Sequence, residues 1–117
     1  MTVALVSCDK EIKDSDYLQF VGHWAQSPGM EQCHYIFNSD KTGYFYIIDC
    51  TDNNRPISDT IYFSYKYNQK ELLLTLNFTK ADNVGETTEI NIINSIDDNE
   101  IHWNRRGMEY LWIFYKQ

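Results

Sequence analysis

The side chains of this 117-residue chain with chemistry at hand are three cysteines, three histidines and a scatter of carboxylates. Cys8, Cys33 and Cys50 form no C-x-x-C pair, and His23, His34 and His102 show neither H-x-H nor H-E-x-x-H spacing, so no metal site is expected. Cys33 and His34 are adjacent and point to opposite sides of a regular strand. Each histidine therefore reads as a surface or packing residue. Two carboxylates can do hydrolytic work when burial raises the pKa of one. Asp40, Asp52, Asp82, Asp97 and Asp98, however, fall in turn-like segments, where such side chains bond nearby backbone. Asp49 and Asp59 fall in strand-like runs. No G-x-S-x-G, P-loop or dinucleotide fingerprint occurs. The expectation is a protein that is not an enzyme and holds no cofactor.

Two cysteines raise a question of pairing. EQCHYIFN and YFYIIDC flank SDKTG, a hairpin loop. With Lys41-Thr42 at its centre, residues whose numbers total 83 oppose one another, which sets Cys33 across from Cys50. Both then lie on the face carrying Tyr35, Phe37, Tyr44, Tyr46 and Ile48. Adjacent strands can supply the Cα separation of under about 7 Å that a disulfide needs. A one-residue change of register separates them, and the alternative is two reduced thiols packed as small hydrophobes.

The elements that position these residues are mostly strands. DSDYLQF carries an N-cap at Asp14 or Ser15 and apolar Tyr17, Leu18 and Val21, which predicts one or two helical turns. FVGHW then goes extended, and Ser27-Pro28-Gly29 makes a turn. Short polar turns separate the later runs EQCHYIFN, YFYIIDC, ISDTIYFSYKY, LLLTLNFT, ETTEINIINSI, EIHW and MEYLWIFYKQ. Ile61, Phe63, Tyr65 and Tyr67 share one face, as do Leu72, Leu74, Leu76 and Phe78. Ile90, Ile92 and Ile96 form another face, and Met108, Tyr110, Trp112 and Phe114 a fourth. One apolar face per strand and no helical crossover predict an all-β fold, an eight-stranded antiparallel up-and-down barrel with a short N-terminal helical turn. A two-sheet sandwich is the nearest competitor. The domain is expected over 14–117, with 1–13 as a flexible segment or tether.

Charge limits the partners. The net charge of −7 repels phosphate backbones, and no basic cluster exceeds Arg105-Arg106, so nucleic acid is not expected to bind. Asp82, Glu86, Glu89, Asp97, Asp98 and Glu100 occupy a stretch without Lys or Arg. That stretch is either an acidic face for a basic protein or ordinary solvated surface.

Gly22-x-Trp24, at the entry to the first strand after a short helix, resembles the G-x-W of lipocalins and the wider calycin barrels. In that family the tryptophan closes one end of the barrel against a basic residue near the last strand. The resemblance implies a plug made by Gly22 and Trp24 with Arg105 or Arg106. Tyr35-x-Phe37-x-x-Asp40-Lys41-x-Gly43 is similar to the Y-x-F-x-x-D-G-x-G hairpin of bacterial lipocalin-like lipoprotein domains, with Lys41 where that pattern has glycine. The likeness spans about Leu18 to Tyr115. It implies noncovalent binding of a hydrophobic small molecule. Face parity selects Phe37, Tyr46, Phe63, Tyr65, Leu74 and Trp112 as the candidate contacts.

LVSC also resembles the end of a bacterial lipoprotein signal, which would make Cys8 a lipidated residue and the only means of membrane attachment. Seven residues before Cys8, with no basic segment, do not make a working signal. A start upstream of Met1 implies the periplasm or cell envelope, and a native Met1 implies the cytoplasm. The competing function is that of an acidic immunity or inhibitor protein neutralising a basic toxin.

Overall fold

A computed structural model describes residues 16–81 and 85–117. Cys8, the 1–13 segment, the N-cap at Asp14 or Ser15, and Asp82 lie outside the described residues. Among the described residues a 3-10 turn, Asp16–Phe20, precedes nine strands: β1 Gly22–Ala25, β2 Glu31–Phe37, β3 Thr42–Asp49, β4 Arg55–Pro56, β5 Ile61–Asn68, β6 Leu73–Phe78, β7 Thr88–Ile96, β8 Glu100–Arg105 and β9 Leu111–Lys116. Every pairing is antiparallel. Sequential neighbours pair from β5 to β9, β9 returns to β1, and β1–β2–β3–β5 completes the ring. Eight strands thus close a barrel, and the two-residue β4 sits on the edge of β3. Closure removes the open sheet edges that would otherwise recruit other chains.

The alternation expected of one-sided strands is strictest in β5, where Ile61, Phe63 and Tyr65 are buried and Tyr62, Ser64 and Lys66 are exposed. Leu74, Leu76 and Phe78 are buried on β6, as their parity demands. Leu72 instead falls in the preceding turn, at a positive φ of 59°, and is exposed. Met108 and Tyr110 likewise precede β9, which leaves Trp112 and Phe114 as that strand's inward side chains.

The 3-10 turn closes one end. Phe20 is fully buried, its ring 4.9 Å from that of Tyr67, and its carbonyl accepts a 2.8 Å hydrogen bond from Trp24 Nε1. Trp24 is buried, and its basic neighbour is neither Arg105 nor Arg106. Lys116 on the last strand places Nζ 4.6 Å from the Trp24 ring centroid and donates to the Val21 carbonyl at 2.9 Å. The reason is register: Trp24 and Lys116 are direct partners across β1 and β9, whereas Arg105 pairs with Asn91 across β8 and β7. Gly22 makes this possible, since a Cβ there would lie 2.7 Å from Lys116 Cε, and its φ of 139° is one that favours glycine.

The β2–β3 register also departs from expectation. The hairpin loop is Asn38–Lys41, closed by Asn38 N–H to the Thr42 carbonyl at 2.8 Å, and Phe37 opposes Gly43. Lys41, at the position where the family pattern has glycine, carries a positive φ of 69°. Cys33 therefore opposes Ile47, and Cys50 lies three residues farther on, just past the end of β3, about 10 Å away at the rise of a strand. Both thiols are free. The odd shift also reverses the face of β3. Gly43 and Phe45 point inward, while Tyr44 and Tyr46 turn outward, Tyr46 stacking on His34 at 4.8 Å. Inward Gly43 leaves room for the Phe63 ring, which a Cβ would meet at 2.7 Å.

Candidate functional site

The barrel is not filled evenly. Near the 3-10 turn, Phe37 packs against Phe20, Phe63 and Tyr65 with ring centroids 4.9–6.0 Å apart. The opposite end holds a cavity of about 310 Å³. Its lining comes from the N-terminal halves of β2, β7 and β9 and the C-terminal halves of β3 and β8. Phe45, Trp103, Trp112 and Phe114 supply most of the apolar wall, and Gln26, Glu31, Ile47 and Met108 also border it.

Set into this aromatic wall is a buried polar group built on β7. Glu89 and Asn91 share the inward face with Ile93, and all three are buried. Tyr35 Oη lies 3.2 Å from both carboxylate oxygens of Glu89 and donates to them. Asn91 Nδ2 donates to Glu89 Oε2 at 2.7 Å, and Arg105 Nη1 stands 3.5 Å from Glu89 Oε1. A buried carboxylate without such partners would be strongly disfavoured; three donors make this one tenable.

The group sets the protonation of its neighbours. Burial first, then the Glu89 charge and hydrogen bond, hold the Tyr35 phenol well above its ordinary pKa, so it remains a donor. Burial, reinforced by the Glu89 charge, pushes the Cys33 thiol up to about 12. Cys33 at neutral pH is therefore a thiol rather than a nucleophilic thiolate. Among the described residues no group of three or more His, Cys, Asp or Glu converges to hold a metal ion.

Two side-chain atoms of residues on the lining are buried with no hydrogen-bond partner among the described residues: Asn91 Oδ1 and Trp112 Nε1. The orientation of the Asn91 amide is fixed by chemistry, because an ionised carboxylate only accepts and must face the NH₂ end.

Of the six residues chosen by face parity, Trp112 lines the cavity. Phe37, Phe63, Tyr65 and Leu74 are buried in the barrel but outside the cavity lining, and Tyr46 lies on the outer face. Arg105 belongs to the cavity and Arg106 is exposed in the turn beyond it. Glu89 and Asn91 were missed because ETTEINIINSI offers two parities. One turns Ile90 and Ile92 inward; the other turns Glu89, Asn91 and Ile93 inward. Hydrophobicity favours the first, and the fold adopts the second. A register shift between Ile93 and Ser95 then lets Ile96 return to the core side. The available signal was Arg105, a cation at the facing strand end able to pair with an inward carboxylate.

No protein-family model matches the chain, and no curated protein matches it. The architecture, an eight-stranded antiparallel closed barrel entered through a short helical turn, is consistent with a calycin-like fold and capable in principle of holding a ligand.

Proposed function

We propose that the protein is a non-enzymatic binder of a small, largely hydrophobic ligand with one polar end, held in the cavity between Trp103, Trp112 and Phe45. The observation that carries this reading is the cavity itself. About 310 Å³ of space stands at one end of the barrel, within the size range of small-molecule sites. Apolar rings would shield the ligand's body, and the Glu89–Asn91–Tyr35 group would meet its polar end. A calycin-like barrel of the cell-envelope type is the setting this reading extends to, with Cys8 as the anchoring residue.

Native mass spectrometry of protein purified from its source tests the binding. A bound species that dissociates on activation is the expected result. Protein that is repeatedly ligand-free, and whose tryptophan emission is unmoved by apolar probes, would overturn it. The competing reading, an acidic face for a basic protein, loses one of its members: Glu89 is buried and engaged with Arg105. Asp97 is committed to its own turn, accepting from the Asn99 and Glu100 backbone N–H groups at 2.8 Å.

A further inference from the structure

Resting on the binding reading above, the rings and the charge of the cavity wall narrow the class of ligand. We propose that the cavity takes a hydrophobic organic cation whose charge is shielded by carbon, such as a quaternary ammonium ion, in preference to a neutral molecule or an anion of the same shape. Tyr35, Phe45, Trp103, Trp112 and Phe114 all border the space. Trp103 and Phe114 each stand at 84° to Tyr35 with centroids 5.2 Å away, whereas Phe45 lies at 24° to it, also at 5.2 Å. A ring face carries negative potential, so rings in crossed orientations offer a cation more than one favourable approach.

The charge of the wall has the matching sign. Among the described residues its carboxylates are Glu31 and Glu89 and its cation is Arg105, so the lining holds one negative charge in excess. Glu89 acts on a ligand without touching it, because charges interact strongly across a space from which water is displaced. Two neighbours on the lining register that sign. After burial, the Glu89 charge is the next influence pushing up the Cys33 thiol and the Tyr35 phenol, and the opposing pull of Arg105 on Tyr35 is weaker. The guanidinium therefore does not cancel the carboxylate at this wall. An anion would enter against that field, with Arg105 already engaged by Glu89. A primary ammonium ion is strongly hydrated and would give up its water for a wall made largely of rings. A quaternary ion holds water less tightly and brings apolar surface to fill the space.

The test compares benzyltrimethylammonium with neopentylbenzene, the same shape with carbon in place of the charged nitrogen, and with the anion 3-phenylpropanoate. Calorimetry, or quenching of tryptophan emission, reads binding to the intact chain. The cation is expected to bind at least about tenfold more tightly than its carbon isostere, and the anion more weakly than either. The ratio of cation to isostere affinity is then read in two variants. Glu89→Gln keeps the size of the side chain and an acceptor but removes the charge. Glu31→Lys reverses a charge at an exposed position, where the fold is not at stake. Each should cut the ratio at least about threefold. Circular dichroism checks both folds, and Glu31→Lys carries the comparison if Glu89→Gln does not fold. Equal binding of cation and isostere, an anion bound as tightly as the cation, or a ratio unmoved in the folded variants would overturn the selection and leave the cavity-binding reading standing. Failure of all three probes to bind the folded parent would overturn both.

Discussion

Lys116 Nζ stands 4.6 Å from the centre of the Trp24 ring and donates a hydrogen bond to the Val21 carbonyl, so the last strand fastens the first. The β1–β9 ladder is short: Trp24 pairs with Lys116 and Ala25 with Tyr115, and Gln117 N–H donates to the His23 carbonyl at 2.9 Å. Side-chain contacts at this seam therefore matter more than at the longer ladders. Trp24→Ala removes a buried ring and should cost about 3–5 kcal/mol in urea denaturation. Lys116→Met keeps the aliphatic stem but loses the cation over the ring, and should cost about 0.5–2 kcal/mol. Gly22→Ala imposes a side chain at φ 139° against the Lys116 stem and should cost about 1–2 kcal/mol. A Trp24→Ala protein as stable as the parent would show that this tryptophan does not close the barrel.

Glu89 should be the most damaging carboxylate to remove. Glu89→Ala would leave the Tyr35 hydroxyl, the Asn91 NH₂ and the Arg105 guanidinium without their shared acceptor. The expected loss is about 3 kcal/mol, held below the cost of a deeply buried pair because Arg105 keeps some access to water. Asp98→Ala, at an exposed turn position, is the control and should change stability by under about 0.5 kcal/mol. Comparable effects of the two substitutions in chemical denaturation would refute the assignment of Glu89 as the anchor of the polar group.

The barrel was legible in the sequence because its evidence is redundant: strict alternation in β5 and β6, short polar turns and a Gly-x-Trp at the entry all agree. The cavity was not, because it depends on two parity choices that local pattern leaves undecided. YFYIID has bulky residues on both faces, so only the four-residue Asn38–Lys41 loop decides that Phe45 goes in and Tyr46 out. On β7 the polar residues take the inside because they find partners there, Tyr35 from β2 and Arg105 from β8. Those partners are 54 and 16 positions away in sequence, beyond what a period-2 count can register.

Acidification should weaken the barrel before the turn aspartates Asp40, Asp49 and Asp97 begin to protonate. On the outer face, Gln32 Nε2 donates to the Gln26 carbonyl, which leaves Gln32 Oε1 to accept from His34 Nε2 at 2.9 Å. His34 Nδ1 must then accept from His23 Nε2, 2.7 Å away. This directional chain needs His34 neutral, since its Nδ1 must accept, and burial disfavours the charged form of both rings. Burial lowers the pKa of each below 6.5, and the neighbouring His23 charge adds to the effect on His34. Because the unfolded chain binds these protons more readily, stability is complete above pH 6.5 and falls as pH drops below it, levelling off under the folded-state values. Asp40, Asp49 and Asp97, whose pKa values are lowered by turn hydrogen bonds, lose their contribution only as pH falls below about 3.8. Urea midpoints at pH 7.5 and 5.5 should therefore differ in the parent and converge in His23→Gln/His34→Gln. An unchanged pH difference in that double variant would remove the histidine chain as its cause.

Cys33, on β2, and Cys50, in the turn after β3, should behave as separate and unequal thiols. Cys33 opposes Ile47 rather than Cys50, and three residues of strand separate the two positions. Peptide mapping without reductant is therefore expected to yield no Cys33–Cys50 crosslink, even after exposure to air. With its pKa pushed up to about 12, Cys33 at pH 8 is thiolate in on the order of one molecule in ten thousand. Iodoacetamide should thus leave it unlabelled in the folded protein, and urea should release it to react at the rate of an ordinary peptide thiol. Recovery of the crosslinked peptide would show that β2 and β3 pair in the other register. Phe45 would then turn outward, Tyr46 inward, and the cavity would lose one of its walls.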